Sequence, residues 1–527
     1  MTTAHYDFVI IGSGFGGSVS ALRLVERGYD VLVVEKGRRF APEQFAKSNW
    51  DLRRWFWLPK LGLQGIFQMT FLPHVTIVHG VGVGGGSLCY ANTLPVPKGG
   101  FFDSPSWAHL ADWRAELEPH YATAQRMLGV ARNPKVTRAD QVIEEIAEDL
   151  GRRAHFHLTD VGVYFGEPDR TVRDPYFDGE GPDRTGCTHC GGCMTGCRVG
   201  AKNTLDRNYL YLAERKGATV RAETEVVDVR PRSSGQEGYR ITLRPSLRRG
   251  RSSAVTADRV IFAGGALGTV PLLLKLREDG SLPALSERVG KGVRTNSEAL
   301  IGVVTTEPDT DLSEGIAITS ILHTDDHSHI EPCRYAKGSG FWRMLLTPHA
   351  PGATAPARLV EMLRRVAAEP LQQLRAATVR DFGMHSQILL YMRSLDGTLT
   401  MKLGRNAFTG FRRGLTTELD DPAVAPRAFM EEATDLARRF ASKVQGVVLS
   451  LFTEALLGTP STAHILGGCC IGDSPETGAI DTHHRLFGYD GLYVMDGSAV
   501  SANPGVNPSL TITAMTERAC SLIAPKG

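Results

Sequence analysis

Tyr6-Asp7-Phe8-Val9-Ile10-Ile11-Gly12-Ser13-Gly14-Phe15-Gly16-Gly17, followed further on by Glu35, decides how the rest of this chain is read. The run Tyr6 to Ile11 has the make-up of a buried strand. Val19, Leu22, Leu24 and Val25 then recur at helical spacing before a second apolar run, Asp30 to Glu35. Strand, glycine turn, helix and strand make one βαβ unit of the expected length. In its G-x-G-x-x-G turn, Gly12 permits the tight bend, Gly14 lets a pyrophosphate approach the backbone, and Gly17 lets helix and strand pack closely. Glu35 stands where a carboxylate accepts from a ribose, and an acid there favours an unphosphorylated ribose, hence FAD or NAD over NADP. An ordinary tight turn is the plainer alternative.

The 527 residues exceed one compact core and point to about three structural units. Hydrophobic residues at 42% and charged residues at 22% are globular proportions, which argues against a mainly disordered chain. With 59 Lys and Arg against 57 Asp and Glu, the net charge of +2 offers no field to hold a nucleic-acid backbone, so no nucleic-acid partner is expected. The opening Met1 to Asp7 carries neither a basic n-region nor a secretory h-region. No stretch reaches the roughly 18 uninterrupted apolar residues of a membrane span. A cytoplasmic protein is the expectation, with peripheral attachment to a membrane left open.

Further pieces of a nucleotide domain are scattered along the chain. Gly80-Val81-Gly82-Val83-Gly84-Gly85-Gly86-Ser87 follows an apolar segment ending at Val78, with a flexible loop as its plain alternative. Val226 to Val229 reads as a strand, Arg259 to Phe262 as another running into Gly264-Gly265 and a helix, and Gly491 to Ser498 as a third ahead of a terminal helix from about Asn507. The intervening material differs. Gln387 to Met392 alternates and Asp396-Gly397 supplies a turn, which predicts antiparallel strands within residues 296–455. Residues 347–380 set Leu359, Leu363 and Leu371 among arginines, and residues 50–58 set Trp50, Trp55, Phe56 and Trp57 beside Arg53 and Arg54. Apolar packing capped by solvated arginines is the simpler expectation for both, a lid or membrane-surface contact the alternative. The basic stretch Leu247-Arg248-Arg249-Gly250-Arg251 reads as a solvated hairpin loop.

Several blocks together resemble the glucose-methanol-choline (GMC) oxidoreductases and, within them, the bacterial cholesterol oxidase branch. These are the opening glycine motif, Gly82 to Leu88, Gly200-Ala201-Lys202-Asn203-Thr204-Leu205-Asp206, Ala463-His464-Ile465-Leu466-Gly467-Gly468-Cys469, and Asp496-Gly497-Ser498 through Gly505-Val506-Asn507-Pro508, in family order. The resemblance implies an α/β fold, a Rossmann-like FAD-binding domain with an inserted α+β substrate domain on an antiparallel sheet. It divides the chain into a discontinuous FAD-binding domain, 1–100, 181–295 and 456–527, and substrate-binding and lid regions, 101–180 and 296–455. The residues it implies at the FAD are Gly12, Gly14, Gly17, Glu35, Gly84, Gly85, Ser87, Asn92, Val226, Asp496 and Pro508. His464 matches the family's catalytic histidine and Asn507 its accompanying asparagine, roles that suit a base and a hydrogen-bonding partner at one alcohol oxygen. A structural histidine is the alternative. His385 stands where cholesterol oxidases carry a glutamate that moves the steroid double bond, which leaves His385 as a candidate to assist proton transfer or bind a carbonyl. Tyr90 replaces an asparagine near the flavin.

Of nine cysteines, four crowd into Cys187-Thr188-His189-Cys190-Gly191-Gly192-Cys193-Met194-Thr195-Gly196-Cys197, a distribution that fits a metal site in a reducing compartment better than a disulfide framework. C-x2-C-x2-C-x3-C is ferredoxin-type spacing and predicts an iron–sulfur cluster, [4Fe-4S] or [3Fe-4S], on Cys187, Cys190, Cys193 and Cys197. Cys197 is the ligand in question, because in two-cluster ferredoxins the fourth cysteine serves the other cluster. Zinc and purely structural cysteines are the alternatives. A cluster beside a flavin forms a relay to an external electron carrier. The expectation is an FAD-dependent oxidoreductase that oxidises a hydroxyl of a bulky apolar alcohol, hydroxysteroid or sterol-like, with electrons leaving through the cluster. The reverse relay, reducing a ketone or activated double bond, and a noncatalytic redox or lipid-sensing flavoprotein are the competing readings.

Overall fold

The opening βαβ unit forms as the pattern predicts: β1 (His5–Ile11) enters the glycine turn, α1 (Phe15–Glu26) starts just past Gly14, and β2 (Val31–Val34) returns parallel to β1. All of β2 is buried, as expected of a parallel strand covered on both faces. The computed structural model describes residues 4–232, 236–248 and 250–527, so the expectations resting on Met1 to Thr3 and on Arg249 lie outside the described residues. On the other side of β1 runs the parallel strand Ser253–Phe262, which leads into the second glycine turn and helix Ala266–Glu278. Thr219–Arg221 extends the sheet beyond β2, Leu492–Val494 joins the end of Ser253–Phe262, and Thr224–Pro231 with Tyr239–Pro245 adds an antiparallel hairpin, seven strands in all. Because the central strands are parallel, Gly12, Glu35, Gly264 and Asp496 all follow strand C-termini at one edge, where open α/β sheets bind ligands.

A second, antiparallel sheet also has seven strands, ordered Leu346–Pro348, Gly446–Leu451, Ala299–Thr305, Ser386–Arg393, Ser328–Cys333, Ser320–His323 and Phe156–Leu158. Strand alternation sorts its residues. Ile301, Val303, Leu389 and Tyr391 enter a core with helices Arg138–Asp149 and Glu431–Lys443. Their neighbours Leu300, Gly302, Ile388 and Leu390 face a large cavity between the two sheets.

Three expectations change. Asp396-Gly397 closes no hairpin, because Thr398–Gly404 leaves the large sheet to pair with Val293–Arg294 and Gly414–Leu419. Asp396 instead accepts from Arg294 Nε at 2.6 Å and pins this crossover. Helix Trp113–Met127, expected with the lid regions, packs on the terminal helix Ser509–Ser521, since its Trp113, Leu117 and Tyr121 are apolar on the face that meets the nucleotide-domain core. The arginine-rich segment forms helices Ala355–Ala368 and Pro370–Thr378 with Arg358 turned inward, whereas Leu359, Val360, Leu363, Leu371 and Leu374 are 46–68% exposed. Residues 50–58 do pack: Trp55 is fully buried and stacks on Phe67 with ring centroids 4.5 Å apart.

Candidate active site

The cavity, about 690 Å³, runs from the C-terminal edge of the parallel sheet to the antiparallel sheet. At its nucleotide end Gly12 adopts φ +106°, which a side chain would strain, and its amide donates to Val34 O at 2.8 Å. Next along the turn, a β-carbon on Gly14 would meet no protein atom within 4 Å and would stand in the cavity instead. Gly17 has the opposite reason: its β-carbon would lie 2.0 Å from Gly12 O, and that of Gly16 1.6 Å from Met495 O. The N-terminus of α1, with its partial positive charge, therefore faces a space that glycine keeps clear. Glu35 lines the same end. Its Oε2 accepts from Ser13 N (3.1 Å) and Ser13 Oγ (2.8 Å) and its Oε1 from Gly37 N (2.7 Å), so the carboxylate braces the turn and retains lone pairs toward the cavity. Asp496 accepts from Gly265 N (2.8 Å) and Ser498 N (2.8 Å), tying the Gly264-Gly265 turn to the C-terminal segment. Burial raises its pKa despite these bonds. Clear backbone at a helix N-terminus, a carboxylate after β2 and a long cavity fit the pyrophosphate, ribose and ring system of FAD.

His464 and Asn507 line the cavity beyond the nucleotide end. Glu298, fully buried at the start of the strand Ala299–Thr305, accepts from His464 Nδ1 at 2.7 Å and also from the backbone amides of Ala463 and His464. Because a carboxylate accepts, the neutral ring carries its proton on Nδ1 and leaves the Nε2 lone pair free. Burial opposes protonation of His464, but the charge and hydrogen bond of Glu298, with the charge of Glu331, outweigh it and raise the pKa above the ordinary 6.5. Glu331, also fully buried, accepts from Asn507 Nδ2 at 3.4 Å, and Asn507 Oδ1 has no partner in the protein. A third buried carboxyl in this group, Glu454, is pushed up by burial to about 8. Sequence patterns did not single out these three glutamates. Glu298 lies 166 positions from the histidine it holds, and no local spacing links them.

Gly12, Gly14, Glu35, Gly85, Val226, Asp496, Pro508, His464 and Asn507 thus meet on one cavity, but other expected residues do not. Gly17 serves packing, while Gly84 and Ser87 shape the glycine cluster Gly80 to Ser87, with Ser87 Oγ donating to Gly84 O (2.7 Å) and accepting from Leu205 N (3.0 Å). Asn92 takes φ +70°, and its neighbours Ala91 and Thr93 line the cavity while its own side chain lies against Cys193. His385 is a correction. It ends the short helix Phe382–His385, its Nδ1 bonds to Asp381 O at 2.8 Å, and it does not line the cavity. The cavity-facing positions of the following strand are the even-numbered Ile388 and Leu390, a face His385 does not share.

Cys187, Cys190, Cys193 and Cys197 line one second cavity of about 260 Å³, and all four are free thiols. Among the described residues no group of three or more His, Cys, Asp or Glu side chains is arranged to hold a metal ion, these four cysteines included.

Comparison with known proteins agrees with this architecture. Residues 10–48 match the NAD(P)-binding Rossmann-like domain, and residues 181–277 and 386–516 match the family described as GMC oxidoreductase. The chain is 47% identical to a cholesterol oxidase of Mycobacterium tuberculosis over 99% of its own length and 92% of that protein. It is 45% identical to a cholesterol oxidase of Acinetobacter baumannii over 99% and 95%. Pyridoxine 4-oxidase from Mesorbium loti shares the fold, with a TM-score of 0.61 over 98% of both chains at 15% identity. With its glycine turns and its histidine–asparagine pair assembled on one cavity, and near-half identity along almost the whole length, the chain belongs to the GMC oxidoreductases and is an FAD-dependent alcohol-oxidising enzyme of that family.

Proposed function

We propose that the enzyme oxidises a hydroxyl of a bulky apolar alcohol, with a hydroxysteroid as the leading substrate. The observation that carries this is the shape and lining of one cavity: the FAD cradle at one end, His464 and Asn507 along it, and a wall of Leu300, Ile388, Leu390, Leu346 and Leu451 from the antiparallel sheet. An apolar wall of this breadth binds by area rather than by polar contacts. The relatives named cholesterol oxidases support a sterol-like occupant.

When bound, FAD supplies the acceptor for the hydride that leaves the carbinol carbon. His464 takes the hydroxyl proton at Nε2 while Glu298 holds Nδ1–H and stabilises the imidazolium that results. Asn507 orients the same oxygen, its amide fixed from behind by Glu331. The apolar wall excludes water from the reacting carbon. An iron–sulfur cluster, held by Cys187, Cys190, Cys193 and Cys197, would supply a one-electron route away from the site, a reading supported by the four thiols that share one cavity. Helices Ala355–Ala368 and Pro370–Thr378 form a lid whose outward apolar face takes the alcohol from a lipid surface.

An anaerobic absorbance titration with sterols and simpler alcohols tests the main reading. Flavin bleaching is expected with hydroxysteroids at lower concentration than with short alcohols. His464→Ala should keep its flavin and lose about 10² to 10⁴ in turnover. Failure of every alcohol to bleach bound flavin would sink the proposal, and unchanged turnover in the variant would remove His464 from its role.

A further inference from the structure

The cysteine loop and the flavin cavity share a wall one residue thick. Met194 lines the large cavity, while Cys193 and Thr195 on either side of it line the small one. Lys202 crosses the same wall. It is 1% exposed and donates from Nζ to Leu88 O (3.1 Å), Tyr90 O (2.8 Å) and Cys193 O (2.9 Å), which uses all three of its N–H groups on neutral carbonyls. No carboxylate among the described residues forms an ion pair with it. Its ammonium also lies 4.6 Å from the Tyr90 ring centroid, and Tyr90 lines the flavin cavity. An unpaired buried cation is costly unless an anion joins it. Asn92 is fully buried with its side chain against Cys193.

Resting on the alcohol-oxidising reading above, the geometry points to a cuboidal [4Fe-4S] cluster in the small cavity, ligated by Cys187, Cys190, Cys193 and Cys197, with Lys202 as its buried counter-cation on the side of the flavin. The four thiols line one space of about 260 Å³, and the chemistry of four thiolates around one space suits a cluster. A lone zinc draws its sulfurs to about 2.3 Å from one centre, whereas each thiolate of a cuboidal cluster binds its own iron and the sulfurs stand wider apart. His189 N already donates to Cys187 Sγ at 3.4 Å, the kind of amide–sulfur bond that stabilises bound clusters. Because Cys197 lines the same cavity as the other three, it belongs to this cluster and not to a second one.

The electron balance closes with an external one-electron carrier. One alcohol gives one ketone, two protons and two electrons, and the electrons pass singly through the cluster to reduce two equivalents of a small redox protein. Cys190, the exposed member of the four, brings the cluster to the surface where such a carrier docks.

The test uses the full chain with FAD, purified without oxygen. Iron and acid-labile sulfide near about four each per chain, and a paramagnetic signal on one-electron reduction, are expected. Cys197→Ser should lower the iron content. Lys202→Met should retain cluster and flavin but shift the cluster's reduction potential to more negative values, because the lost positive charge no longer favours the reduced form. Should that variant fail to fold, Asn92→Gly, which adopts φ +70° freely, should shift the potential in the same direction. Stoichiometric zinc, or no iron and sulfide, overturns the site while alcohol-dependent flavin bleaching leaves the enzymatic reading standing. A cluster present but never reduced by alcohol, with hydrogen peroxide formed in step with ketone, overturns the relay. An unchanged potential in both variants overturns the role of Lys202.

Discussion

In the proposed mechanism Glu298 turns His464 from a ring in a wall into a directed base. Two bonds from backbone amides fix its Oε1, so Oε2 meets Nδ1 at 2.7 Å without freedom to swing away. A base must be unprotonated to act, so activity is lost as pH falls through the histidine's pKa, and this lies above 6.5 because of Glu298. Glu298→Gln removes the charge and offers an amide that prefers an acceptor on Nδ1, which puts the proton on Nε2. Two linked outcomes are expected from the pH profile of kcat/KM: the acid limb moves to lower pH, and the plateau falls by about 10²-fold or more from the wrong tautomer. A fall in rate with the limb unmoved would assign Glu298 a merely structural part. His464 and Asn507 could be seen in the sequence because they sit inside contiguous family blocks. Glu298, Glu331 and Glu454 could not, because burial and partners 166 and 176 positions away give them their roles.

The first glycine turn separates two functions within six residues. Gly14 faces empty space, whereas Gly16 and Gly17 touch backbone at 1.6 and 2.0 Å from where a β-carbon would be. Gly14→Val is therefore expected to fold, by circular dichroism and thermal unfolding, yet to purify without yellow colour, because the isopropyl group occupies the pyrophosphate's place. Gly16→Ala forces a backbone shift and should lower stability by about 1–3 kcal/mol or more, with flavin loss following from unfolding. Equal flavin content in Gly14→Val and the parent would remove that glycine from the cradle. The βαβ unit, the strand into Gly264-Gly265 and the antiparallel alternation of Gln387 to Met392 were legible because each is a local period. Asp396-Gly397 misled because turn chemistry is the same whether a chain doubles back or crosses to another sheet, and only the distant Arg294 decides between them. Likewise the sequence of Trp113–Met127 shows an apolar face without naming the helix, 509–521, that covers it.

The molecule as a whole carries its unusual surface next to its cavity. In Ala355–Ala368 the ordinary arrangement is inverted: Arg358 is buried, donating from Nε to Ala455 O at 2.9 Å, while Leu359, Val360 and Leu363 face out. Leu371 and Leu374 continue this face on the second helix, and Leu456 and Leu457 stand exposed on the segment that Arg358 grips. That segment directly follows the strand whose Leu451 lines the cavity, so the apolar face and the substrate wall are joined through a few residues of chain. Exposed Arg364, Arg375 and Arg380 accompany the leucines, which favours an anionic lipid surface over a neutral one. No helix among the described residues is long and apolar enough to cross a membrane. The enzyme is therefore expected to co-sediment with anionic phospholipid vesicles more than with zwitterionic ones. Leu363→Asp combined with Leu371→Asp, each removing about 1.5–3 kcal/mol of burial, should cut turnover of vesicle-borne sterol by tenfold or more while sparing a short water-soluble alcohol. Indifference of the parent enzyme to vesicles, or equal losses on both substrates, would leave the outward leucines without a part in substrate delivery.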